Sequence, residues 1–272
     1  MKIQTTRNYI EDYIAEVQSN GKLHFSLEDL KNRFNSNYQT AIKFSLNKLF
    51  KKGRLVSIYK GFYVIIPPEY KSRKILPAEM FVDALFNYLK RPYYLGLLSA
   101  AVFHGASHQQ VMESYVVINK PSLRSTETEG LKINYLVKSG LPEFGIERRK
   151  TEVGFINISC PELTALDLIQ YLDRIGGLNR ASTVLYELTE SMNVEKLNEV
   201  LKNKIPLSRL QRTGYIFDKV LNKKDLAEVI HIFLKDKIFF RTPLKTGLPK
   251  EQCKVNSDWK IIENFKIETD FY

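Results

Sequence analysis

Two apolar runs, residues 55–59 (LVSIY) and 62–66 (FYVII), flank the dipeptide Lys60-Gly61. Both runs are rich in β-branched and aromatic residues, so the spacing predicts a hairpin with Gly61 supplying the positive φ of a tight turn. A hairpin this short constrains what precedes it. Gly53 stops a helical pattern only two residues earlier. That helix runs to about Lys52. At about 100° per residue, Tyr38, Ile42, Ser45, Leu46 and Leu49 share one face. The opposite face carries Asn37, Thr40, Phe44, Asn47, Lys48 and Lys51, with Lys43 on its flank. "SNYQ" gives the helix a capping box, Ser36 with Gln39.

Further upstream, "NSN" at residues 35–37 is a turn. "SLED" starts a second helix at Ser26, with Asp29 in place of the usual Glu. Leu27, Leu30 and Phe34 are its buried residues. "KLHF" is a short strand. The first helix carries the stripe Ile10, Tyr13, Ile14 and Val17 and is closed by Gly21 in a left-handed cap. Helix, strand, helix, turn, helix, hairpin is the order of a winged helix-turn-helix.

Charge is concentrated in the same region. The chain has a net charge of +11 over 272 residues. Residues 1–75 hold 14 Lys/Arg against 6 Asp/Glu, and the remainder supplies only +3. A local excess points to a polyanionic partner or, more plainly, to a solvated basic face. DNA binding accounts for both the charge and the element order. Asn37, Thr40 and Asn47 are the candidates for base reading. Lys43, Lys48, Lys51, Lys52 and Arg54 are the candidates for phosphate contact, and Lys60 sits at the hairpin tip. Tyr59 and Phe62 are expected to brace the hairpin. Phe44 is expected to pack beneath it, since a large aromatic is unusual on an exposed face; the alternative is contact with a thymine methyl.

The prolines in residues 67–74 predict a linker, and a second domain starts near Pro77. The expected division is 1–66, winged helix-turn-helix; 67–76, linker; and 77–272, a larger mixed α/β domain, which makes the fold class α+β. In the second domain, residues 78–89 and 93–106 read as helices, and 114–119, 132–137 and 154–159 as strands. "PELTALDLIQYL" reads as a helix with Pro161 in its first turn. Helical patterns continue to about Lys237, and the last segment reads as a strand or hairpin.

The second domain offers no clear chemistry. His104 and His108 stand four apart, but Gly105 replaces the Glu of a metalloprotease motif and no third ligand follows. Gly176-Gly177 is a turn. Asp167 lies alone in an apolar helix, where it can cap or form a structural ion pair. The expectation is therefore no enzyme, no cofactor and no metal. No apolar run reaches the roughly 18 residues of a membrane span. The first residues lack the apolar core of a secretory signal. Cys160 and Cys253 suggest no disulfide framework, which fits a cytoplasmic protein.

Four segments resemble the AbiEi family, antitoxins of the type IV (AbiE) toxin–antitoxin systems. "LNKLFKKGRLVSIYKGFYV" is similar to the family's recognition helix and wing. "YYLGLLSAAVFHG" resembles its Leu-Ser-Ala-Ala-x-x-His-Gly helix. "ISCPELTALDLIQY" resembles its Thr/Ser-x-Pro-Glu-x-Thr-x-x-Asp segment, and "SDWKIIENFKIETD" its closing Trp-containing strand. The resemblance implies an N-terminal domain that represses its own operon by binding inverted repeats in promoter DNA. It implies a C-terminal domain that counteracts AbiEii, a nucleotidyltransferase-like toxin, in phage abortive infection. In type IV systems the two proteins are generally described as forming no stable complex, so a direct toxin contact is not assumed. The alternative reading is a stand-alone winged-helix transcription factor whose second domain senses a ligand or partner.

Overall fold

The computed structural model describes residues 9–34, 39–73, 76–106, 113–128 and 131–268. It is a mixed α+β structure. It begins α1 (Tyr9–Ser19), β1 (His24–Ser26), α2 (Leu27–Arg33), α3 (Gln39–Lys51), β2 (Leu55–Tyr59) and β3 (Phe62–Ile65). Then come α4 (Pro68–Arg73), α5 (Val82–Leu89), β4 (Tyr93–Leu95), α6 (Leu97–Phe103), β5 (Ser114–Asn119), β6 (Thr126–Thr128), β7 (Leu131–Lys138), β8 (Ile146–Thr151) and β9 (Gly154–Ser159). Helices α7 (Pro161–Gln170), α8 (Leu172–Ile175), α9 (Gly177–Leu188), α10 (Val194–Val200), α11 (Leu207–Tyr215) and α12 (Lys224–Leu234) follow. Three two-residue strands close the chain, β10 (Thr242–Pro243), β11 (Val255–Asn256) and β12 (Ile261–Ile262). Strands β4 to β9 form a sheet of order β6-β7-β5-β4-β9-β8. No helix among the described residues is long and apolar enough to cross a membrane.

Two compact units divide the chain. The first comprises Met1–Tyr93, Met112–Val137 and Arg149–Ile156. Its N-terminal part follows the hydrophobic pattern closely. Ile10, Ile14 and Val17 of α1, Leu30 of α2, and Ile42, Leu46 and Leu49 of α3 pack with Phe25, Leu55 and Ile65 in one cluster. Tyr13 and Phe34 flank that cluster half-buried. The capping box at α2 forms as expected: Ser26 Oγ accepts from the Asp29 amide at 3.0 Å, and the Ser26 amide donates to Asp29 Oδ2 at 2.7 Å. The second box, Ser36 with Gln39, and the turn at 35–37 involve residues outside the described ones.

The small sheet has the order β1-β3-β2, with β3 antiparallel to both neighbours. The hairpin turns at Lys60-Gly61, where Gly61 has φ +79°. A residue with a Cβ would be strained there, and that Cβ would also meet the Tyr88 hydroxyl. Tyr88 Oη in turn donates to the Lys60 carbonyl at 3.2 Å.

Residues 67–76, expected to be a linker, hold the short helix α4. The adjacent prolines start this helix instead of preventing one. Pro68 opens it, and at the first helical position a missing N–H costs nothing. The compact unit continues past this segment to Tyr93.

The second unit comprises Tyr94–Val111, Lys138–Arg148 and Asn157–Tyr272. The expected helix over 93–106 begins later than the pattern suggests. Tyr93, Tyr94 and Leu95 form β4, and Leu95 pairs in parallel with Ile158 of β9. All three side chains are buried, and consecutive buried aromatics suit a strand covered on both faces. Gly96 is extended and starts α6.

Helix α7 is the centre of this unit. Every residue from Pro161 to Ile169 is buried. It packs against α6, α9, α10 and α11. That enclosure explains its lack of a polar face. Pro161 occupies the first turn, and Cys160 Sγ accepts from the Leu163 amide at 3.5 Å. Near the C-terminus, β12 lies between β10 and β11. Trp259 is 2% exposed, and its indole N–H donates to Asp218 Oδ2 at 2.9 Å.

Candidate nucleic-acid interface

The inner face of α3 is fixed by Ile42, Leu46 and Leu49, so its other face must point outward. Thr40, Lys43, Phe44, Asn47 and Lys51 are exposed there, at the i, i+3, i+4, i+7, i+11 spacing of a single face. Lys48 is half-buried at its edge. The helix ends in a left-handed Gly53 at φ +63°. The Arg54 amide reaches back to the Leu49 carbonyl at 3.0 Å and the Gly53 amide to Phe50 at 2.9 Å. This closure exposes Lys52 and Arg54 together, immediately before β2. Lys60 is exposed at the hairpin tip. Asn37 lies outside the described residues.

The first unit therefore brings Thr40, Lys43, Asn47, Lys48, Lys51, Lys52 and Arg54 onto α3 and its C-terminal end, with Lys60 on the hairpin that follows. Lys43, Lys48, Lys51, Arg54 and Lys60 take part in no salt bridge among the described residues. The α3 surface offers the Asn47 amide, the Thr40 hydroxyl and several cations on a helix of 13 residues. Those groups can donate to phosphate oxygens and read base edges.

One aromatic expectation needs correction. Phe44 does not pack beneath the hairpin; it is 74% exposed. Its helical position decides this, because the core-facing stripe of α3 is already filled by Ile42, Leu46 and Leu49. A shallow recess of about 150 Å³ runs along its flank, lined by Glu11, Phe44, Ser45, Lys48 and Leu49. Phe62 does brace the hairpin: it is buried and stacks on His24 at 5.5 Å. Tyr59 is 42% exposed.

In the second unit, the family-like motif residues share a hydrogen-bonded interior. His104, at the end of α6, contacts the Ser159 carbonyl through Nε2 at 2.7 Å. Ser159 and Thr164 share a hydroxyl contact of 2.6 Å, and Thr164 also donates to the Cys160 carbonyl at 2.8 Å. Glu162 Oε1 accepts from the Asn193 amide at 2.6 Å. Asp167 is fully buried and takes the second expected role, an ion pair: Lys138 Nζ lies 2.6 Å from Oδ1 and the Tyr94 hydroxyl 2.6 Å from Oδ2. Burial, followed by the Asp167 carboxylate, holds the Tyr94 pKa well above the usual range, so Tyr94 stays a donor. Burial likewise raises the Cys160 thiol to about 12, which makes it an unreactive cap.

Sequence reasoning found Asp167 but missed its partners. Lys138 and Tyr94 are far from it along the chain, and no local periodicity marks them. Of the histidine pair, His104 is engaged as described and His108 lies outside the described residues. Among the described residues, no group of three or more His, Cys, Asp or Glu is placed to hold a metal.

Residues 94–219 match the family model described as AbiEi antitoxin C-terminal domain. These residues form an AbiEi antitoxin C-terminal domain. The matched AbiEi region contains α6, α7 and the polar network that joins them. It supports an antitoxin role in a type IV toxin–antitoxin pair, and with it a toxin partner. The fold is similar to the crystal structure of the RV2827C protein from Mycobacterium tuberculosis, with a TM-score of 0.65 at 16% identity. That similarity covers 96% of this chain and 92% of the other. No curated protein matches the sequence.

Proposed function

We propose that this AbiEi protein is a DNA-binding autorepressor and an antitoxin, residues 1–66 forming a winged helix-turn-helix and the C-terminal domain counteracting an AbiEii-like nucleotidyltransferase. In this reading α3 is the recognition helix and β2–β3 the wing. Thr40 and Asn47, with Asn37, read bases. Lys43, Lys48, Lys51, Lys52, Arg54 and Lys60 contact phosphates. The observation that carries the proposal is the outward face of α3, where Lys43 and Lys51 are exposed and, with Lys48, take part in no salt bridge among the described residues. The target is promoter DNA with inverted repeats, which places two copies on one site. The protein works in the cytoplasm, in phage abortive infection, and carries out no catalysis itself.

The two roles separate experimentally by point substitution. Truncation is a poor tool, because residues 112–137 and 149–156 belong to the same compact unit as the N-terminus. The full chain is coexpressed with its neighbouring toxin gene and, separately, with a reporter under its own promoter. Wild type is expected to restore growth and repress the reporter. The variant Lys43→Ala, Lys48→Ala, Lys51→Ala is expected to restore growth while losing repression. A variant that represses like wild type removes the DNA-binding assignment. Failure of wild type to restore growth removes the antitoxin assignment.

A further inference from the structure

Phe44 is the feature of α3 that phosphate contact leaves unexplained. Single exposed apolar residues are ordinary on protein surfaces. This one is unusual for its neighbours. It sits near the middle of α3, one turn from Thr40 on one side and from Asn47 and Lys48 on the other, with Lys43 and Lys51 on the same exposed face. Among the described residues, Phe44 has no aromatic partner: the ring pairs around the small sheet join Tyr9, Tyr13, His24, Phe25, Phe34, Phe50, Phe62, Tyr63 and Tyr88 instead. The ring is therefore presented outward at the same height as the groups that would read bases.

We infer that Phe44 is a specificity-determining residue that packs against the 5-methyl group of a thymine in the major groove. This rests on the DNA-binding reading above. The thymine methyl is the one apolar feature on a major-groove base edge, and an apolar side chain is its natural contact. Phosphate oxygens and the polar edges of guanine, adenine and cytosine gain nothing from a phenyl ring. The same geometry disfavours insertion between base steps, which is a minor-groove device accompanied by kinking. Flanking amide and hydroxyl groups at Thr40 and Asn47 would contact neighbouring bases, so the methyl contact sits inside a short read sequence.

The test uses the full chain and a duplex selected by it from random DNA. Each thymine is replaced singly by deoxyuridine, which deletes only the methyl group. Burying one such carbon is worth ~0.8 kcal/mol, or about four-fold in affinity. Wild type is expected to lose about that factor at one thymine per half-site and to be indifferent elsewhere. Phe44→Ala is expected to bind the unmodified duplex more weakly and to show no response to deoxyuridine anywhere. This variant keeps its fold, since the ring is exposed and alanine favours helix; an unchanged melting temperature checks it. The inference is overturned if every deoxyuridine duplex binds wild type within about 1.5-fold, or if Phe44→Ala retains the methyl response. If no duplex is selected at all, the DNA-binding reading itself fails, and the inference falls with it.

Discussion

Gly214 lies inside α11, where glycine ordinarily costs ~1 kcal/mol relative to alanine. On propensity alone, Gly214→Ala should stabilise the protein. The structure reverses the sign. A methyl at this position would overlap Cζ3, Cη2 and Cε3 of the Trp259 indole. That ring cannot swing away freely. It is 2% exposed, His231 packs edge-on against it at 5.6 Å, and its N–H is held by Asp218 at 2.9 Å. Overpacking of this kind costs ~1–3 kcal/mol. Displacing the indole also gives up a hydrogen bond to a charged acceptor, ~1.5–3 kcal/mol. Less the helix gain, Gly214→Ala should destabilise the second unit by ~2–5 kcal/mol. Trp259 is the chain's single tryptophan, so its fluorescence reports the site directly. The expected result in urea is an earlier transition and altered native emission. Adding Trp259→Leu should make the Gly214→Ala substitution much less costly, since the obstructing ring is gone. A later urea midpoint with unchanged emission would refute the packing argument.

Lys138→Met removes the cation ion-paired with the fully buried Asp167, leaving only the longer-range field of Arg209, and should cost ~3–5 kcal/mol in urea unfolding, most of which Lys138→Met combined with Asp167→Asn should recover. His24 carries a lowered pKa, from burial first and Lys22 second, with Asp29 opposing. It folds neutral, so its contribution is complete above the unfolded value of ~6.5 and declines as pH falls through the folded value. Urea midpoints between pH 7.5 and 5.5 should fall more steeply for wild type than for His24→Gln.

The N-terminal elements were legible because each carried a local signal. The stripe of Ile10, Ile14 and Val17, the reciprocal Ser26–Asp29 cap and the Lys60-Gly61 turn all depend on residues within a few positions of one another. The residue type of Phe44 favours the interior, but its helical position decides, because Ile42, Leu46 and Leu49 already fill the inner face. Tyr93 to Leu95 read as part of a continuous apolar run, and only the pairing of Leu95 with Ile158, distant in sequence, makes them the strand β4. The interior of the AbiEi domain was the least legible part. His104 and Ser159, and Asp167 with Lys138 and Tyr94, are joined across long stretches of chain, and buried polar pairs follow no periodic pattern. The motif Asp was visible; its reason for being there was not.

In the proposed reading the outward face of α3 and the hairpin after it bind duplex DNA through their exposed lysines. Affinity for the selected duplex, measured across a range of salt concentrations, tests it most directly. Each lost phosphate contact reduces the slope of log K against log salt by ~0.9. Replacing Lys43, Lys48 and Lys51 together by alanine should therefore flatten the slope by ~2.7 and weaken binding to all sequences alike. An unchanged slope and affinity would contradict the account.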